Sequence, residues 1–169
     1  MATPRVLKNF NVFVNGRSHA GVAEEITLPE VKLKTEDYRA GGMDAPTELD
    51  MGMDALTSKF SFTDPDPDSL ALVGLAAGNS ARVVAKGAFR RDSDNATVSV
   101  TAEMVGRIKS VSHGNWKSGD KNANEFEMGV NYYRLTVGGR TVFEIDVENM
   151  VRIIDGSDQL AAIRNAIGI

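Results

Sequence analysis

Ile26-Thr-Leu-Pro-Glu-Val-Lys-Leu-Lys-Thr-Glu-Asp37, then Tyr38-Arg-Ala-Gly-Gly-Met-Asp-Ala-Pro46, then Thr47-Glu-Leu-Asp-Met-Gly-Met-Asp-Ala-Leu-Thr-Ser-Lys-Phe-Ser-Phe62 form two long arms joined by a loop. Both arms alternate with period two, the pattern of strands with one wet face. In the first arm Glu30, Lys32, Lys34 and Glu36 share one face, and Val31, Leu33 and Thr35 the other. In the second, Glu48, Asp50, Gly52 and Asp54 oppose Leu49, Met51 and Met53. Twelve extended residues reach roughly 40 Å at about 3.3 Å each, which is longer than a small domain's core requires. Beyond Asp54 the apolar positions become Leu56, Phe60 and Phe62, all even-numbered, so the side chains have changed face. This predicts a bulge or bend near Ala55, where the chain leaves one surface and enters a core. The reading is a two-stranded ribbon protruding from a globular body. Its open edges would be an aggregation hazard in a monomer. Pairing with copies of the chain, closed into a ring, removes them.

Composition sets the frame. The chain has 169 residues, enough for one domain with a real core, and the whole of 1–169 reads as a single unit. A net charge of −4 supplies no general basic field for nucleic acid. There is no cysteine, hence no disulfide framework and no thiolate chemistry. No apolar run is long enough to span a bilayer as a helix, and the start, Met-Ala-Thr-Pro-Arg, lacks the apolar core of a signal peptide.

Around the ribbon the remaining segments read mostly as strands. Asn11–Val14 is one, and Asn15-Gly16 is a hairpin turn signal. Ala81–Arg90 and Thr97–Ser112 follow, then Glu125–Val137 and Arg140–Val147 joined across Gly138-Gly139, then Val151–Ile154. Two helices are expected. One covers Pro67 to Ala76, capped by Asp64 or Asp66, with Leu70, Val73 and Ala77 on its buried stripe and Gly78-Asn79 ending it. The other runs from about Ser157 to Ile167, capped by Ser157 or Asp158, and buries Leu160 and Ile163 against the body or a neighbour. The fold class is mainly β: a sandwich or open barrel with one packed helix, a short carboxy-terminal helix and the protruding ribbon, whose edges are expected to pair with copies of the chain.

No catalytic set stands out. His19 and His113 lie near turns and read as surface residues, and Glu144 and Asp146 alternate as wet-face residues do. Gly41-Gly42 and Gly138-Gly139 lack the strand–turn–helix context of phosphate loops. Trp116 reads as a packing anchor or an interface residue. Neither a cofactor nor a metal is called for. The loop Tyr38, Arg39, Ala40, Gly41, Gly42, Met43, Asp44, Ala45 and Pro46 is the exception. Its aromatic, arginine and methionine are types enriched at protein–protein contacts, so it reads as an interface loop. A small-ligand β-barrel is the alternative, but it would want apolar residues around a cavity rather than a charged ribbon face. A hydrolase built on Glu144 and Asp146 is a weaker third.

Leu28-Pro29, Lys34-Thr35-Glu36, the whole loop 38–46 and Asp50-Met51-Gly52 resemble the signature of the major tail tube proteins of contractile-tailed phages, a family shared with R-type pyocin tube subunits. Trp116-Lys117-Ser118-Gly119, Tyr132-Tyr133 and Asp158-Gln159-Leu160-Ala161-Ala162-Ile163-Arg164-Asn165 are similar too, so the resemblance runs the length of the chain. It implies a structural protein and no enzyme: hexameric rings stacked into a tube within a contractile sheath. The ribbons would line the lumen, six copies forming one continuous β-barrel. Loop 38–46, at the far end of the ribbon, is expected on its position to join successive rings. The implied partners are copies of the chain, the sheath, baseplate and tape-measure proteins, and DNA passing without specific binding, with no membrane binding by the subunit. The implied location is a virion tail or pyocin particle, assembled in the host cytoplasm. The lumen face would hold Glu30, Lys32, Lys34, Glu36, Glu48, Asp50 and Asp54, a net charge of three negatives per chain.

Overall fold

The computed structural model describes residues 3–74, 78 and 80–169. It is built mainly of antiparallel strands. β1 (Arg5–Val14) turns at Asn15-Gly16 into the short β2 (Arg17–Ser18). β3 (Ala23–Thr27) leads to the ribbon strands β4 (Leu33–Tyr38) and β5 (Thr47–Met53). Then come β6 (Leu56–Phe62), α1 (Pro67–Leu70), β7 (Ala81–Arg91), β8 (Thr97–Ser112), β9 (Asn124–Val137), β10 (Arg140–Asp146), β11 (Val151–Ile154), β12 (Ser157–Asp158) and α2 (Ala161–Ile167). Strand β1 begins six residues before the Asn11 read from the sequence, because Arg5 to Val14 find partners along the whole of β7.

Ten strands form one sheet in the order β12-β11-β10-β9-β8-β7-β1-β2, with β6 and then β3 attached to β9. Strand β9 shares one edge between two neighbours. Its first half, Asn124 to Val130, pairs with β6, and its second half, Tyr132 to Val137, pairs with β10. Val12 and Val14 of β1 share one buried cluster with Phe60 and Phe62 of β6, although β7, β8 and β9 lie between them in the sheet. The sheet must therefore curl upon itself, which is the open-barrel variant of the expected class. Its interior is filled by Phe60, Phe62 and Phe126, whose rings lie 5.1–5.6 Å apart, together with Met104, Met128 and Tyr133. Close aromatic packing of this kind fills the centre of the body, and the apolar pocket that remains, about 280 Å³, lies between β1, β3, β7 and β8, lined by Leu7, Phe10, Leu28 and Phe89 among others.

Both helices are shorter than expected. Asp66 caps α1 by accepting the Ser69 amide at 3.2 Å, but the helix ends at Leu70. Val73 instead makes a parallel bridge to Ile108 of β8, and Leu70, Leu72 and Val73 all pack on the core. A single helical stripe could not bury residues 72 and 73 together with 70. The expected stretch through Ala76 and Ala77 to Asn79 lies outside the described residues. At the other end, Ser157 and Asp158 are spent on β12, and α2 starts only at Ala161.

Candidate assembly site

The ribbon is a separate two-stranded sheet whose strands run only six and seven residues, not the twelve read from the sequence, because the first arm breaks at Leu28–Lys32 and the second at Asp54–Ala55. Among the described residues, strands β4 and β5 pair only with each other. Nearly every residue in both is exposed, including Leu33, Tyr38, Leu49 and Met51, the last at 53%. Large apolar side chains on both faces of an isolated hairpin are surface that a single chain leaves uncovered.

The register corrects the face assignment. Leu33 lies opposite Met53, but Thr35 lies opposite Asp50, so Met51 and Gly52 together face the single residue Lys34. This is a β-bulge, and Gly52 at φ +96° supplies the left-handed conformation that such an extra residue needs. The Asp50 carboxylate braces it, Oδ1 accepting the Gly52 amide at 2.8 Å. Residues directly opposite each other point to the same side. Toward the tip, Asp50 and Glu48 therefore join Thr35 and Asp37, while Glu36 joins Leu49. The seven charged residues read as one face do not share one. The phase change read at Ala55 arises from this bulge, three residues earlier, and from a break in the strand at Asp54–Ala55.

One face looks at the body. Val31 and Met53 pack on the core, and Asp50 Oδ2 lies 3.9 Å from Nη2 of Arg152 on β11. The averted face carries Lys32 and Asp54, 4.0 Å apart, with Lys34, Glu36 and Leu49. Glu30 lines the same shallow cleft as Lys32 and Asp54. Three acids against two lysines leave this face one net negative charge per chain, not three.

The loop from Arg39 to Pro46 is braced from within. The Met43 amide donates to the Ala40 carbonyl at 3.2 Å, closing a turn with Gly42 at φ +93° in its third place, the type II arrangement. The Arg39 guanidinium donates to the Met43 carbonyl at 3.2 Å. Apart from Ala40 and Met43, which are half-buried, the loop side chains are exposed.

Other residues singled out from the sequence sort differently. Trp116 is 84% exposed, so it is not a packing anchor. On α2 no residue is fully buried. Leu160, just before it, is half-covered, whereas Ile163 and Ile167 are exposed, so of the two covers expected for Ile163, body or neighbour, the body is not the one. The helix is tethered by Arg164, which donates to the Met150 carbonyl at 2.7 Å and to Asp158 at 2.5 Å. Glu144 accepts the Tyr132 hydroxyl and Asp146 caps the turn at Asn149, so neither aims into a shared site. His113, on the surface, bonds Asn124 at 2.8 Å.

His19 departs from its surface reading. It is buried, stacked on Phe62 at 4.3 Å between ring centres, with Nε2 3.1 Å from Asp66 and 3.0 Å from the Ser69 hydroxyl. The residue types are those of a serine hydrolase triad. The geometry is not, because acid and hydroxyl meet the same ring nitrogen and Ser69 is itself buried. The set is a knot joining the β2–β3 turn to α1. The Ser69 hydroxyl, first of all, with His19, the Ser69 amide and Arg17, holds the Asp66 carboxyl below its ordinary 3.8. A depressed carboxylate contributes stability that is present above its unfolded pKa and is lost as pH falls through the folded one. Asp66→Ala is expected to cost about 2 kcal/mol at neutral pH, the upper range for a helix cap. It should also flatten the loss of stability below about pH 4 that wild type shows in acid titration by circular dichroism. An unchanged acid limb would refute the role.

A curled β-body with a ribbon left uncovered presents a surface suited to association with other chains. Residues 4–168 match the family described as phage tail tube protein FII, and the chain belongs to that family, which is structural and not enzymatic. The tail tube protein of Escherichia phage P2 is 36% identical over 172 residues, covering 100% of both chains. The major tail tube protein of Serratia phage KSP20 is 30% identical over 173 residues, covering 94% of this chain and 92% of its own. Two solved structures share the fold at low identity. One is a chain of the sheath–tube complex of an extracellular contractile injection system in its extended state (TM-score 0.60, 10% identity, 79% of this chain and 91% of that one). The other is a chain of the anti-feeding prophage tube-terminating cap (TM-score 0.58, 11% identity, 81% and 92%). The chain is thus a tail tube protein and a component of the particle.

Proposed function

We propose that this chain closes into hexameric rings that stack into the hollow inner tube of a contractile tail, the conduit for DNA during ejection. The observation that carries the reading is the ribbon: two strands that, among the described residues, pair only with each other and leave apolar side chains uncovered on both faces. Edge-to-edge pairing of ribbons from neighbouring chains would complete the backbone hydrogen bonds and, on ring closure, leave no free edge. The averted face then looks into the bore. With one net negative charge per chain it is a weakly charged wall of mixed signs, which neither binds phosphates by counterion release nor strongly repels them. The braced loop 39–46 at the ribbon tip meets the next ring, and the uncovered Ile163 and Ile167 of α2 meet an adjacent chain. Sheath, baseplate and tape-measure proteins are the expected partners outside and within the tube.

Electron microscopy of the purified protein tests the whole reading. Stacked six-fold rings around an open bore are expected, with Lys32, Lys34, Glu36 and Asp54 on the bore and Tyr38 to Pro46 between rings. Persistent monomers at high concentration, or a bore lined by strands other than β4 and β5, would overturn it.

A further inference from the structure

Arg152 is the most buried charged residue described, 9% exposed, on a strand whose neighbouring core positions, Ile145 and Tyr133, are apolar. A guanidinium taken out of water needs a carboxylate and filled hydrogen bonds to offset its lost hydration. Here Nε is buried without a hydrogen-bond partner, and the nearest carboxylate is Asp50 of the ribbon, with Oδ2 3.9 Å from Nη2. That separation attracts but is too long for a hydrogen bond. Asp50 is placed for two tasks at once. Its Oδ1 holds the bulge through the Gly52 amide, and its Oδ2 faces the arginine. The bulge in turn brings Asp50 to the body side of the ribbon, where plain alternation would not put it.

We propose that Asp50 and Arg152 form a latch that sets the angle at which the ribbon leaves the body and so positions it to pair with the neighbouring chain. The pairing with a neighbour rests on the function proposed above; the latch itself lies within one chain. Apart from Met53 on the core, the ribbon is joined to the body through the short links at Leu28–Lys32 and Asp54–Ala55, so a single charge contact partway along it has leverage over the tip. The buried arginine gains by closing the gap, and closure draws β5 toward β11. Arg152 and Asp50 act as positioning residues for assembly.

Asp50→Asn is the decisive variant, because the amide oxygen still accepts the Gly52 N–H while the charge is removed. Hydrogen exchange on the unassembled chain is expected to show residues 33–53 exchanging several-fold faster than in wild type, with the strands of the body unchanged. The concentration needed for tube formation should rise about tenfold, the equivalent of one hydrogen bond to a charged group. Arg152→Gln should produce the same ribbon exchange, and adding Asp50→Asn to it should bring no further change. Glu48→Gln, on the same face two residues away, should resemble wild type. Wild-type exchange in Asp50→Asn, additive effects in the double variant, or an equal response to Glu48→Gln would each overturn the latch. If Arg152→Gln blocks tubes while Asp50→Asn changes nothing, the arginine answers to another chain's acid and the latch is likewise overturned. The exchange measurement is made without assembly, so it decides the latch even if wild type forms no tubes, an outcome that would sink the proposed function instead.

Discussion

Replacing Leu33–Met53 with Asn-Gly is expected to give a folded chain that forms no tubes at any concentration. The join is geometrically ready, since the Asp54 amide already donates to the Lys32 carbonyl at 3.0 Å, and Asn-Gly is the favoured two-residue hairpin loop. The body should hardly notice. Of the excised side chains, Met53 is packed on the core and Asp50 approaches Arg152, so the loss should be about 1–2 kcal/mol. Ordering a ribbon costs about 1–2 kcal/mol per residue in backbone entropy, and in one chain its own ladder, Met53 and the Asp50–Arg152 contact offset that. On the function proposed above, contacts with other chains add to this. Thermal unfolding and sedimentation would be read side by side. Normal tubes from the shortened chain would show that the contacts lie elsewhere. A milder variant, with Arg39–Ala45 replaced by Asn-Gly, should keep ring formation and lose stacking.

Gly106→Ala should be among the most damaging single changes in the body, costing about 3 kcal/mol or more, whereas Gly129→Ala in the facing strand should cost less than about 1 kcal/mol. Strands β8 and β9 approach closely where their register shifts between Val105 and Gly106. A Cβ at Gly106 would lie 1.9 Å from the Gly129 carbonyl oxygen and 2.9 Å from the Val130 Cα, and backbone atoms cannot step aside. A Cβ at Gly129 would meet only the flexible Lys109 side chain, at 3.6 Å or more. Chemical denaturation of the two variants checks the contrast; equal midpoints would mean that β8 and β9 can separate without loss. Assembly should fall with Gly106→Ala only as far as folding does, unlike the ribbon variants.

Local rules carried much of the architecture. Alternation and turn residues located Thr97–Ser112 and Val151–Ile154 to the residue, and the hairpins at Asn15-Gly16 and Gly138-Gly139, because period-two burial and two-residue turns are properties of neighbouring residues. The ribbon was legible for the same reason, as two alternating arms about a loop, but its strands are six and seven residues long, not the twelve extended residues read from the sequence. The tail tube family was also legible, in the residues of loop 38–46 and those around it. What the sequence left open was everything that depends on which residues meet across space. One extra residue at Met51–Gly52 reverses every side chain beyond it, so alternation read along a single strand put Glu48 and Asp50 on the wrong side. The burial of His19 depended on Phe62, Asp66 and Ser69, some fifty positions away. Gly106 looked like any other glycine until the Gly129 carbonyl was seen beside it. Arg152, an ordinary strand residue by sequence, became a buried charge facing the ribbon only once β11 had joined the curled sheet. Periodicity fixes the spacing of side chains along a strand, but their facing is set by register and by the curl of the sheet, and those are decided by the packing of distant segments.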